Sequence, residues 1–288
     1  MQTQMKDLII RSNLFLCILF CPVFLFAQGK SLVILHLNDT HSRIEPMPLN
    51  NAQYPDKGGV VRWDSYIHKV RKETKNVLVF HSGDLVQGTP YFTLFEGEVE
   101  IAVANRIKFD AACIGNHEFD NGMDFLAKMI RHAKYPYITT NLELIGTPLE
   151  GLTKRYHIIK RNGLKIGVIG LTINPDGLVS KKNSEGVVYL DPIASANQMA
   201  VFLKEDQKCD LVICLSHLGY YPNEDPVGDI TLAKESRNID IILGGHTHLP
   251  FQEPVRQLNH YGAEVIIHQS GAYGINVGRL NIELEEKQ

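Results

Sequence analysis

The sequence has no excess of positive charge. It carries 29 Lys and Arg against 32 Asp and Glu, a net charge of −3. That gives no reason to expect a nucleic acid partner, which usually needs a basic face, so a nuclease is not expected. Cysteine is scarce, with five in 288 residues. No two of them have the C-x2-C spacing of a structural zinc site. The apolar run over residues 14–26 is short for a membrane span, which takes about 20 residues. No internal repeat or low-complexity tract is present, which excludes a solenoid or a linker-like chain.

What is present begins with that run. Lys6 and Arg11 precede it and Ala27-Gln28-Gly29 follow it, the arrangement of a secretory signal peptide. The expected organisation is a signal peptide over residues 1–27, cleaved after Ala27, and one catalytic domain over residues 28–288. The mature protein is then periplasmic or secreted, with no stable membrane span. Cleavage removes Cys17 and Cys21 and leaves Cys113, Cys209 and Cys214. Cys113 and Cys214 lie in apolar runs, where a free thiol behaves as a small hydrophobe. No structural disulfide is expected.

Five short apolar runs organise the rest, each ending abruptly in polar residues. Residues 31–37 lead to Asp39 and His41. Residues 77–80 lead to His81-Ser82-Gly83-Asp84, and residues 111–114 to Gly115-Asn116-His117-Glu118-Phe119-Asp120. Residues 210–215 lead to His217, and residues 239–243 to Gly244-Gly245-His246-Thr247-His248. Loops at strand ends are where open α/β sheets display reactive groups. Asp39 and His41 stand two apart, so an extended segment would point both the same way. Asp84 has two carboxylate oxygens and can bridge two cations, which no histidine can do. His81 reads as a supporting residue and His68 as a solvated one.

Between these runs, apolar spacing predicts helices over residues 59–72, 98–108, 122–132 and 191–205. Arg161-Asn162-Gly163 is a hairpin signal. That pairing is antiparallel, so the sheet is not purely parallel.

The gathered side chains are Asp39, His41, Asp84, Asn116, His217, His246 and His248, with His117 and Asp120 beside them. All are oxygen or nitrogen donors, which suits divalent Mn, Zn or Fe. They are too many for one four-coordinate ion and about right for two ions sharing a carboxylate. Such a pair can generate hydroxide near neutral pH and clamp the oxygens of an in-line phosphoryl displacement.

The order D-x-H, G-D, G-N-H-[DE], H, G-H-x-H from Asp39 to His248 resembles the calcineurin-like metallophosphoesterases. Residues 34–41, 87–90 and 115–122 are most similar to the catalytic domains of 5′-nucleotidases and their UDP-sugar hydrolase and cyclic-phosphodiesterase relatives. The resemblance implies an α/β fold, a four-layer α-β-β-α sandwich with two mixed sheets. It implies one ion held by Asp39, His41, Asp84 and His248, and a second by Asp84, Asn116, His217 and His246. His117 would act on the ester, oriented by Asp120. The implied substrate is a small phosphoester, a nucleotide first. Cyclic nucleotides, sugar nucleotides and simple esters are alternatives, as is a subunit that mainly docks a partner. Two departures stand out. His81-Ser82 replaces an Asp and a small residue, and the family's C-terminal substrate domain is absent from the sequence. A separate chain supplying that domain is therefore a possible partner.

Overall fold

The computed structural model describes residues 30–221 and 227–284. The expected signal segment, residues 1–27, lies outside the described residues. The chain opens with β1 (Lys30–Leu37), α1 (Val60–Glu73), β2 (Val77–Ser82), α2 (Pro90–Phe95), α3 (Glu98–Ile107) and β3 (Ala111–Cys113). Next come α4 (Met123–His132), β4 (Tyr137–Ile138), β5 (Leu142–Glu143), β6 (His157–Arg161), β7 (Leu164–Thr172) and β8 (Val188–Tyr189). The last third holds α5 (Pro192–Val201), β9 (Leu211–His217), α6 (Asp229–Glu235), β10 (Ile241–Leu243), β11 (Val255–Leu258), β12 (Glu264–His268) and β13 (Gly278–Leu284).

Two mixed sheets result, ordered β13-β1-β2-β3-β4 and β11-β12-β10-β9-β7-β6, with β5 and β8 pairing separately. In the first sheet β1 to β4 run parallel and β13 is antiparallel to β1. In the second, β12, β10, β9 and β7 are parallel, and β11 and β6 are antiparallel edges.

Strand alternation makes the layers. In β1, Leu32 and Ile34 join the core shared with the other sheet, whereas Leu35 and Leu37 join the core under the helices. In β9, Leu211, Ile213 and Leu215 face inward, and Val212 and Cys214 face α5 and α6. Residues alternate because successive side chains leave a strand on opposite faces. Both faces are covered, so the strands read as continuous apolar runs. Each fully buried Val, Leu or Ile contributes about 1.5–3 kcal/mol, so the inter-sheet layer and the two layers under the helices all hold the sheets in place.

The predicted helices appear at nearly the expected bounds, except over residues 191–205. There α5 ends at Val201 and a wider turn, Phe202–Asp206, follows. The Gln207 amide reaches back to the Phe202 carbonyl. That turn seats the buried Leu203 against Gly167, where an added Cβ would come within 2.8 Å of it. Asn162 and Gly163 turn the β6–β7 hairpin with φ of 50° and 69°. Cys113, Cys209 and Cys214 are buried free thiols. No described helix is long and apolar enough to cross a membrane.

Candidate metal centre

The expected side chains leave the carboxyl ends of β1, β2, β3, β9 and β10, the side of the sheets where parallel strands open into loops. The first of these loops is not extended, contrary to the expectation for Asp39 and His41. Asp39, His41 and Ser42 have φ of 51°, 49° and 51°. The second strand's loop imposes that turn. Amides of Asp39, His41 and Ser42 donate to the carbonyls of Gly83, Asp84 and Leu85 at 3.0, 3.1 and 3.0 Å. The two side chains still converge, with His41 Nε2 3.9 Å from Asp39 Oδ1.

Asp84 sits at the middle. Its Oδ2 lies 3.0 Å from His217 Nε2 and 3.9 Å from His41 Nε2. Its Oδ1 accepts the His117 amide at 2.9 Å. His217 donates from Nδ1 to the Ser82 carbonyl at 2.7 Å, which turns Nε2 toward Asp84. His246 Nδ1 lies 3.1 Å from Asn116 Oδ1, and its amide donates to both Asp39 oxygens at 3.1 and 2.9 Å. His248 Nε2 is 3.2 Å from Asp39 Oδ1 and 3.1 Å from His41 Nε2. His117 Nδ1 pairs with Asp120 Oδ2 at 2.8 Å.

These residues form three overlapping groups: Asp39, His41 and His248; Asp84, His217 and His246; and His41, Asp84 and His117. Within each, the donor atoms lie within 4.8 Å of one another. The arrangement fits divalent cations. His217 Nε2 and Asp84 Oδ2 face each other at 3.0 Å in a fully buried position, and two imidazole nitrogens, of His41 and His248, stand 3.1 Å apart. Glycine keeps the centre open. A Cβ on Gly115 would stand 2.2 Å from Asp84 Oδ1 and 2.8 Å from His217 Nε2. One on Gly83 would stand 2.5 Å from His217 Nδ1.

The electrostatics show what a cation would meet. Burial opposes charge on Asp84, but His217, His41 and His117 together outweigh it and hold the carboxyl below its usual range. Burial likewise opposes charge on His217, yet Asp84 and Asp39 raise it. Burial lowers His41 against the pull of Asp84 and Asp39, keeping a nitrogen lone pair available. His117 is raised first by its hydrogen bond to Asp120, against burial.

Three contributors were not assigned roles from the sequence. Glu118 is fully buried and accepts the amides of Asp84, Leu85 and Gly115 at 3.0, 2.7 and 2.6 Å. It fixes two ligand loops at once. Asn38 donates to Asp39 Oδ2 at 2.6 Å and accepts from the Ser270 amide at 2.9 Å. Tyr273 lies beside His41 and His248, with ring centres 5.7 and 5.8 Å away. Glu118 and Asn38 stood inside the matched blocks, but nothing in those blocks showed which atoms they would bond. His81 is buried, 3.0 Å from Thr40 Oγ1, in a supporting position. His68 is on the exposed face of α1, paired with Asp64 at 3.0 Å and away from the centre.

Mixed sheets stacked face to face, with Asp, His and Asn loops meeting at their carboxyl ends, are the architecture of a metallophosphoesterase. The chain belongs to the calcineurin-like phosphoesterase family, whose profile matches residues 32–250. It is 35% identical over 276 residues to the NAD 5′-nucleotidase of Haemophilus influenzae, a match covering 89% of this chain and 45% of that protein. The solved structure of that organism's NAD nucleotidase superposes with a TM-score of 0.79 at 32% identity, over 90% of this chain and 54% of the other. The calcineurin-like phosphoesterase YfkN of Bacillus subtilis superposes with a TM-score of 0.72 at 27% identity, over 90% of this chain and 87% of its own. The chain spans about half the length of the curated relatives it matches.

Proposed function

We propose that this protein is a dinuclear, divalent-metal-dependent phosphohydrolase that cleaves the phosphate monoester of nucleoside 5′-phosphates. One observation carries the reading. The buried Asp84 carboxylate reaches His217 on one side and His41 on the other, at 3.0 and 3.9 Å, as a ligand shared by two ions must. Asp39, His41, Asp84 and His248 hold one ion, and Asp84, Asn116, His217 and His246 the other. When bound, two Mn, Zn or Fe ions supply an acidified attacking water and a cationic clamp on the phosphoryl oxygens.

The remaining chemistry belongs to the chain. Asp120 accepts from His117 Nδ1, which fixes the ring and favours its protonated form. The free Nε2–H of His117 then donates to the leaving alkoxide, the role of a general acid. Glu118 holds the Asp84 and Gly115 amides and so keeps the bridging carboxylate in place. Nucleotide is the favoured substrate because the relatives covering most of this chain are named for nucleotide hydrolysis. The N-terminal run supports a signal peptide and a periplasmic or secreted enzyme.

The test is an assay with Mn- or Zn-reconstituted protein on AMP, a 2′,3′-cyclic nucleotide, UDP-glucose and p-nitrophenyl phosphate. Hydrolysis of AMP supports the reading. Cleavage of the simple ester without AMP favours a phosphoesterase that acts on simple esters rather than nucleotides. No hydrolysis of any ester by protein carrying two ions overturns it.

A further inference from the structure

Gln269 directly follows β12 and is fully buried. Its side-chain amide is spent on the loop after β10 and on what lies behind that loop. Nε2 donates to the Gly245 carbonyl at 2.9 Å and faces Asp229 Oδ2 at 3.5 Å. Oε1 accepts from the Thr247 hydroxyl at 3.1 Å and from the Leu249 amide at 3.2 Å. Two donor and two acceptor positions are the whole capacity of an amide side chain, and all four are occupied. The Leu249 N–H can only donate and the Gly245 carbonyl can only accept, so the amide has one workable orientation.

The bonded residues, Gly245, Thr247 and Leu249, alternate with His246 and His248. Both histidines have left-handed backbone, with φ of 68° and 57°. Residues other than glycine resist that conformation, and it persists where surrounding structure imposes it. Here the imposing contacts come from a strand end some twenty positions further on. Two more bonds tie the same hub to the loop after β9. Thr247 Oγ1 accepts the Tyr220 amide at 3.1 Å. Asp229 Oδ1 accepts from the Ser216 hydroxyl at 2.5 Å, and Ser216 directly precedes His217.

We infer that Gln269 is a positioning residue for the metal centre, fixing the chain on either side of His246 and His248 and so aiming one proposed ligand into each ion site. The inference rests on the dinuclear reading above. Gln269 itself touches no ion and no substrate; it acts through the backbone of the two histidines.

Calorimetric Mn titration tests it. Gln269→Met keeps the length of the side chain and removes its hydrogen bonds, and should weaken both Mn sites about tenfold or more, the scale of lost outer-shell partners. Asn259→Leu controls for lost stability alone. Asn259 is another buried amide, bonded to the Ser236 carbonyl and to the Tyr261 and Ala263 amides at 3.0, 3.0 and 2.9 Å, but it stands before β12, at the end away from the centre. That variant should melt at a lower temperature and bind Mn as the wild type does. A folded Gln269→Met protein with wild-type affinity at both sites overturns the positioning role and leaves the metal reading standing. Asn259→Leu weakened as much as Gln269→Met does the same, because stability alone would then account for the loss. A wild type that binds no Mn overturns the metal reading and this role with it. If Gln269→Met fails to fold by circular dichroism, Thr247→Val, which removes the hydroxyl and keeps the shape, replaces it with the same outcomes.

Discussion

His117 is the residue whose role the geometry leaves in competition. Its ring nitrogen lies among donor atoms of His41 and Asp84, which a ligand would do, yet Nδ1 is committed to Asp120, as an acid's would be. The two roles separate on metal content. His117→Ala should lower turnover by about 10²–10⁴-fold while both ions remain bound by elemental analysis; loss of an ion would make it a ligand instead. A second prediction concerns His81, which burial drives down to about 3 against the pull of Asp39 and Asp84. Burial likewise lowers His36 and His268, whose rings meet at 2.7 Å. Below pH 6.5 the unfolded chain binds protons that these folded residues refuse. Stability is therefore full above that pH and falls as the pH drops toward 3. Each pH unit costs about 1.4 kcal/mol per residue, so His81 alone accounts for about 2 kcal/mol between pH 6.5 and 5. Urea melts of metal-free protein should show a shallower acid slope for His81→Asn than for the wild type; equal slopes would mean His81 is already charged in the fold.

At the scale of elements, the loops after β2 and β3 work as one unit because Glu118 ties their amides together. Gly115 is the tightest point, since an added Cβ would meet both Asp84 and His217. Gly115→Ala must push one ligand aside, and a misplacement near 1 Å costs about 10²-fold in rate. Activity should fall at least that far, and the metal-free protein should melt at a lower temperature because the added Cβ also comes within 2.7 Å of the Asp84 amide nitrogen; normal activity would place Asp84 and His217 outside the machinery. Elements of this kind were legible because their signals are local. The period of residues 122–132 announced α4, and Asn162-Gly163 announced a hairpin. The left-handed backbone at Asp39 and His41 was not legible, because amides of that loop bond to carbonyls more than 40 positions away. Nor was the end of α5 at Val201, which is set by where Leu203 must pack.

In the whole molecule the proposed ligands come from both sheets, β1, β2 and β3 from one and β9 and β10 from the other. The strand runs that carry them could be read in sequence, but the pairing of β13 with β1 joins residues 278–284 to residues 30–36, and no local pattern specifies such a partner. That pairing closes the first sheet, and the inter-sheet core then brings the two sets of strand ends together. An ion held by Asp39, His41 and His248, or by Asp84, His217 and His246, therefore bridges the two sheets at their open end. Unfolding must separate those ligands, so a bound ion stabilises the folded state by mass action. At a hundred times its dissociation constant each independently bound ion contributes about 2.7 kcal/mol, or roughly 5–10 °C in melting temperature for a domain of this size. Mn should raise the melting temperature and EDTA should reverse it. Asp84→Asn, which alters the shared carboxylate, should lose at least half of that response. A wild-type melt indifferent to both Mn and EDTA would mean that the sheets are not joined through metal and that the clustered histidines serve packing alone.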